Sequence, residues 1–148
     1  MNNQRIVLAS RPTSAPSAEN FRLEEVALAS LNDGQVRIKN AYLSLDPYMR
    51  GRMSDAKSYA QPQPLNETMI GGTVGEVVES RNPAFAVGDK VVGMGGWQLY
   101  STASGRGDIR KVDTTHIPLS AYLGVVGMPG MTAWYGLNKI CEPKAGEA

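Results

Sequence analysis

Apolar residues in this chain fall in short runs separated by Gly, Pro and Asx-Gly pairs, a rhythm of strands and tight turns. Arg5 to Ala9 is one such run, closed by a loop that carries Pro12 and Pro16. Phe21 to Leu28 alternates loosely, and Asn32-Asp33-Gly34 then supplies a turn signal that predicts a reversal between strands. In Gln35 to Leu43, Val36, Ile38 and Asn40 alternate against Arg37, Lys39 and Ala41, the pattern of a half-buried strand. Asp46-Pro47 reads as an N-cap with Pro at the first helical position, so a single helical turn is expected there. Ser54 to Thr68 is polar and proline-bearing, a long surface loop. Strands are predicted again at Gly71 to Glu79, Lys90 to Met94, Gln98 to Thr102 and Ile109 to Val112. The turns between them fall at 86–89, 93–96 and 104–108. The last thirty residues change character. Ser120 is placed to cap a short helix through Val126, and Met128-Pro129-Gly130 restarts a second. Met131, Trp134, Tyr135 and Leu137 recur at helical spacing before Pro143 stops it.

Composition narrows what such a fold can do. The chain has 148 residues, a length that suits one domain with a real core. Fifteen basic residues against 14 acidic ones leave a net charge of +1, which excludes a strongly basic nucleic-acid surface. No apolar stretch approaches the twenty or so residues of a membrane span, and Met1-Asn2-Asn3-Gln4 does not begin a secretory leader. The Asn66-Glu67-Thr68 sequon therefore carries no weight. A single cysteine, Cys141, excludes an internal disulfide and fits a reducing, cytoplasmic setting. With His116 as the sole histidine there is no Cys/His cluster, so no metal is expected.

Residue chemistry alone selects little. Gly71-Gly72-Thr73-Val74-Gly75 begins a strand with no helix after it, so the glycines serve a bend or a close approach rather than a phosphate. Gly93 to Gly96 fails the same test. His116, in a loop-like stretch before Pro118, reads as a surface or packing histidine rather than a triad member. Leu43 to Met53 is more distinctive, because it sets a tyrosine and two arginines on a tight turn directly after a strand. Tyr48 there is either a buried hydrogen-bonding aromatic or a functional donor, and Arg50 and Arg52 read as surface or salt-bridge residues.

The run Tyr42-Leu43-Ser44-Leu45-Asp46-Pro47-Tyr48-Met49-Arg50-Gly51-Arg52-Met53 is very similar to the signature of the zinc-independent medium-chain reductases. That group holds curcumin reductases, plant alkenal double-bond reductases and leukotriene B4 dehydrogenases. Gly71-Gly72-Thr73-Val74, Val87-Gly88-Asp89-Lys90-Val91 and Gly127-Met128-Pro129-Gly130-Met131-Thr132-Ala133 agree in the same order. Leu8-Ala9-Ser10-Arg11-Pro12 and Glu19-Asn20-Phe21-Arg22-Leu23 look most like the bacterial curcumin reductase branch. The resemblance implies a mainly-β fold: a GroES-like, partly open β-barrel over 1–120, with short helices over 121–148 leading toward an NADPH-binding Rossmann domain beyond this chain. It implies an N-terminal part of an enzyme that reduces the C=C bond of α,β-unsaturated ketones or aldehydes, inactive by itself.

By the same resemblance Tyr48 binds the carbonyl oxygen or assists protonation, and Tyr59 is a second candidate. Met128 and Thr132 match positions on the nicotinamide side of the cleft, with ordinary helix packing as the alternative. Zinc-dependent relatives carry a cysteine after the strand that here ends near Leu43, and Gly-His-Glu where this chain has Ile70-Gly71-Gly72. Neither ligand is present, so polarising the carbonyl falls to hydrogen-bond donors. The implied partner is a small-molecule enone, with neither nucleic acid nor membrane, and the full-length enzyme is expected as a homodimer. A free-standing GroES-like binding or assembly module stands as the alternative, and the reading frame beyond Ala148 separates the two.

Overall fold

The β-branched and aliphatic alternation of the first half settles into two sheets. In the computed structural model, which describes residues 2–147, β1 (Asn2–Leu8) pairs antiparallel with β2 (Phe21–Ala27), from Asn2 opposite Ala27 to Leu8 opposite Phe21. The second sheet is built from β3 (Val36–Leu43), β4 (Thr73–Ser80), β5 (Lys90–Gly93), β6 (Tyr100–Ala103) and β7 (Ile109–Lys111). Its spatial order is β6-β3-β4-β5-β7, with every pair antiparallel. Isolated bridges from Arg5 to Gln98 and from Val7 to Thr68 fasten β1 to the segments that lead into β6 and β4.

A short link forces the large sheet to curl. Strands β6 and β7 lie at its opposite edges, yet only residues 104–108 join them. That link is not stretched: Ser104 N–H donates to Asp108 Oδ2 at 2.7 Å, and Gly105 and Gly107 take φ of +67° and +91°. A flat sheet of five strands would hold its edges about 19 Å apart, so the edges must bend toward each other. The result is the partly open, mainly-β barrel expected of a GroES-like chain. Val36, Ile38, Val77, Phe85, Val91 and Ala103 fill it, with Ile109 packed against them from β7.

A second core lies under helix α1 (Tyr48–Arg52). Met49 and Met53, four residues apart and 3% and 4% exposed, bury one face of this short helix against Leu8 and Met69. Gly71 packs closely here: a Cβ at that position would stand 2.7 Å from Leu43 Cδ1 and 3.1 Å from Met49 Cε, so a larger residue would push those side-chain ends aside.

Three expectations change on contact with the structure. Asn32-Asp33-Gly34 does turn, with Gly34 at φ +81°, but it passes the chain from one sheet to the other instead of closing a hairpin. Arg37, predicted on the polar face of β3, is buried: its guanidinium donates to Thr102 Oγ1 at 2.9 Å and to the Ala29 carbonyl. A β-bulge between Arg37 and Ile38 breaks the strict alternation there. Ser120 does not cap a helix; it lies inside a 3₁₀ segment, Leu119–Leu123, that opens after Pro118. Helix α2 (Met128–Tyr135) follows as predicted and continues into a π-helical stretch, Gly136–Cys141. Neither segment buries a residue.

Candidate active-site cleft

The end of β3 and the short helix after it form one wall of a cleft of about 770 Å³. Tyr48, Arg52, Tyr59 and Asp46 line that wall, Met94 enters from the loop following β5, and Ile109 and Arg110 enter from β7. Tyr122, Met128 and Met131 complete it from the helical tail. The lining is mostly apolar, with charged groups at Asp46 and Arg52 on one side and at Asp108 and Arg110 on the other, the make-up of a small-molecule site.

Tyr48 is held from behind. Pro47, not Asp46, stands at the N-cap of its helix, no side chain caps it, and Met49 N–H donates to the Asp46 carbonyl at 3.1 Å. Arg50 then ties the helix outward, through Nη2 to Ser14 O at 2.8 Å. With Met49 and Met53 sunk in the core, the Tyr48 backbone has little freedom. The Tyr48 ring packs against that core, and the residue is half-buried. Desolvation, and then the nearby Asp46 carboxylate, push its phenol above the usual value of 10.0, against a smaller opposing pull from Arg52. At neutral pH it is therefore a protonated hydrogen-bond donor.

The other sequence-derived candidates divide. Tyr59 reaches the same cleft from the loop after α1 and is 88% exposed, its ring centroid 5.9 Å from the Arg52 guanidinium. Met128 also lines the cleft. Thr132 does not: its hydroxyl donates to the Met128 carbonyl at 2.8 Å, one turn back in the same helix. Sequence reasoning passed over Arg52, Arg110, Tyr122 and Met131 as cleft residues. For Arg52 a signal existed, since it follows Tyr48 by four residues on one helical turn. Arg110 and Tyr122 come from distant segments, and nothing local in the chain marks them.

His116 and Cys141 are both exposed and neither lines the cleft. Among the described residues no three His, Cys, Asp or Glu side chains gather into a metal-binding group, and no helix is long and apolar enough to cross a membrane. The glycines at 71–75 lead into β4 and those at 93–96 into a loop, so neither set opens a helix onto a phosphate.

The chain folds as a curled, partly open β-barrel with a helical tail and a tyrosine-bearing cleft between them. Residues 4–112 match the family model described as the N-terminal domain of oxidoreductase, and the chain belongs to that family. It is 53% identical to the NADPH-dependent curcumin reductase of Escherichia coli (strain K12) over 98% of this chain and 42% of that protein. Identity to the 2-alkenal reductase (NADP(+)-dependent) of Nicotiana tabacum is 36%, over 99% of this chain and 44% of the relative. The crystal structure of CurA in complex with NADPH from Vibrio vulnificus superposes with a TM-score of 0.87 at 49% identity, covering 97% of this chain and 42% of that one. The chain thus spans well under half the length of the relatives it matches.

Proposed function

We propose that this chain is the N-terminal catalytic domain of an NADPH-dependent reductase that saturates the C=C bond of α,β-unsaturated ketones or aldehydes. The observation that carries the reading is Tyr48: a protonated phenol on a helical turn anchored in the core by Met49, lining a mostly apolar cleft. The identity to curcumin and alkenal reductases over nearly the whole chain supports it. In this reading 1–120 is the catalytic barrel and 121–148 the connection toward a cofactor domain.

The residues present suit one end of the cofactor. Met128 and Met131 give the cleft a polarizable, apolar wall for a flat ring. Met128 is proposed to stand on that nicotinamide side, with Thr132 supporting it from within the same helix. Bound NADPH supplies a hydride to the β-carbon of the enone. The Tyr48 hydroxyl meets the carbonyl oxygen and stabilises the negative charge that builds there as the enolate forms. It then assists protonation at the α-carbon, with Tyr59 as the second donor. The Met-lined wall keeps water from that charge and adapts to differently shaped substrates. The same reading places a homodimer in a reducing cytoplasm, in line with the single exposed Cys141.

The test is turnover. The protein made from its complete reading frame should consume NADPH when given curcumin or a simple alkenal, with one C=C bond saturated in the product. Stable NADPH absorbance across a panel of enones would refute the reading.

A further inference from the structure

The arginine that shares the cleft with both tyrosines has no role in the reading so far. Three arginines surround α1, and two of them are used up in tying the chain together. Arg50 donates to Ser14 O at 2.8 and 3.1 Å, and Arg11 donates to Met53 O at 3.0 Å and Gln63 O at 3.2 Å. Arg52 differs from them. It lines the cleft, forms no ion pair among the described residues, and its Nε is buried without a hydrogen-bond partner.

Its remaining contacts all concern the tyrosine loop. Arg52 Nη1 donates to Gln61 O at 2.7 Å, and Gln63 N–H donates to Arg52 O at 2.7 Å. The two bonds pinch residues 54–61 into a compact loop with its ends together. Gln63, 6% exposed and bonded to Thr68 O and Ile70 N–H, fixes the base of that loop. Near the tip is Tyr59, exposed apart from the guanidinium 5.9 Å from its ring. On its other side Arg52 follows Tyr48 by one helical turn.

We propose that Arg52 is a positioning residue for both tyrosines: it holds Tyr59 against the cleft and keeps an unpaired positive charge one turn from the Tyr48 hydroxyl. As Tyr48 gives up its proton the phenol oxygen gains negative charge, which the Arg52 cation stabilises and the Asp46 carboxylate opposes. Asp108 and Arg110 from the β7 end and Tyr122 from the 3₁₀ segment face the same cleft and are constant across the variants. The inference rests on the enone-reductase reading for its kinetics, but its electrostatic half can be measured without turnover.

The experiment compares R52Q and R52K in the protein from the complete reading frame. R52Q removes the charge, and R52K keeps the charge while losing the planar group that lies over Tyr59 and binds Gln61. For R52Q, kcat should fall about tenfold from the lost charge, and KM should also rise severalfold because the guanidinium that holds Tyr59 is gone. The tyrosine absent from Y48F, followed by ultraviolet titration, should ionise at higher pH than in the unsubstituted protein. For R52K that titration should hold still, while KM rises severalfold as Tyr59 loosens. If R52Q leaves the Tyr48 titration and kcat within twofold of the unsubstituted protein, the proposal is overturned. If R52Q does not fold, R52K decides: an unchanged KM, or a Tyr48 titration that moves although the charge is retained, overturns it equally. Absence of any enone turnover by the unsubstituted protein would refute the functional reading, and the titration would still decide the part of Arg52.

Discussion

Tyr48 owes its chemistry to its neighbours more than to its own pKa. Half-burial and the adjacent Asp46 raise the phenol above 10.0, which keeps the proton in place through the neutral and mildly alkaline range. A donor that stays protonated, on a backbone pinned by Met49 and Met53, is preorganised for charge that appears only during reaction. Tyr48→Phe removes the hydroxyl and leaves the ring against its core. We expect folding to be unchanged and kcat/KM for an enone, in the protein from the complete reading frame, to fall by roughly 10 to 10³. The smaller figure applies if Tyr59 shares the donation. Steady-state kinetics on several enones check this, and turnover at the unsubstituted level would make Tyr48 a packing residue. Met49→Ala tests the pinning itself. Truncating a nearly fully buried methionine costs about 2–5 kcal/mol, so thermal unfolding should drop clearly, with the loss centred on the second core.

At the scale of elements, the barrel closes through small devices at its edges. Asp89, in the turn between β4 and β5, accepts from Ala86 N–H at 2.7 Å and pairs with Lys111 of β7 at 2.6 Å. The Lys111 ammonium first, and then the Ala86 amide, hold the Asp89 carboxyl below its usual 3.8. A carboxyl lowered in the folded state adds stability above the unfolded value, and that stability is lost as pH falls through the folded one. The gap in melting temperature between the unsubstituted chain and D89N should thus be steady from pH 6 to 8. It should shrink once pH drops below about 4; a gap that grows in acid would reverse the assignment. Such edge devices also mark the limit of what the sequence shows. Period-two alternation located β3 because burial on one face writes that pattern directly, and turn residues bracketed β4 and β5. Arg37 broke the pattern because its partners, Thr102 and Ala29, lie on other segments. The Asn32–Gly34 turn was legible as a turn but not as a passage between sheets, since strand partnership is decided by contacts far along the chain. In the cleft, Tyr48 was legible through a local motif, and Tyr59 only as a further tyrosine in the loop after it. Arg110 and Tyr122 were not, because only the curl of the sheet and the fold of the tail bring them there.

For the whole molecule, the balance of buried and exposed apolar surface changes sharply along the chain. Both hydrophobic cores are drawn from residues before 104, while α2 and the π-helical stretch after it bury nothing. Met128, Met131, Trp134, Leu137 and Ile140 are each more than half exposed, an apolar face on a tail that follows the barrel. Exposed apolar surface on that scale drives association when nothing else covers it. The 148-residue chain by itself is therefore expected to self-associate as concentration rises, and sedimentation velocity should show dimers or larger species. Replacing Trp134 and Leu137 by Glu should return it to a monomer without lowering the melting temperature of the barrel, because neither residue belongs to a core. The same chain should bind NADPH negligibly by calorimetry. Pyrophosphate recognition uses a glycine-rich turn that opens a helix, and the glycines of 71–75 and 93–96 open none. Micromolar NADPH affinity in this chain would mean that the cleft holds more of the cofactor than its nicotinamide end, and would undo the division of labour between barrel and cofactor domain.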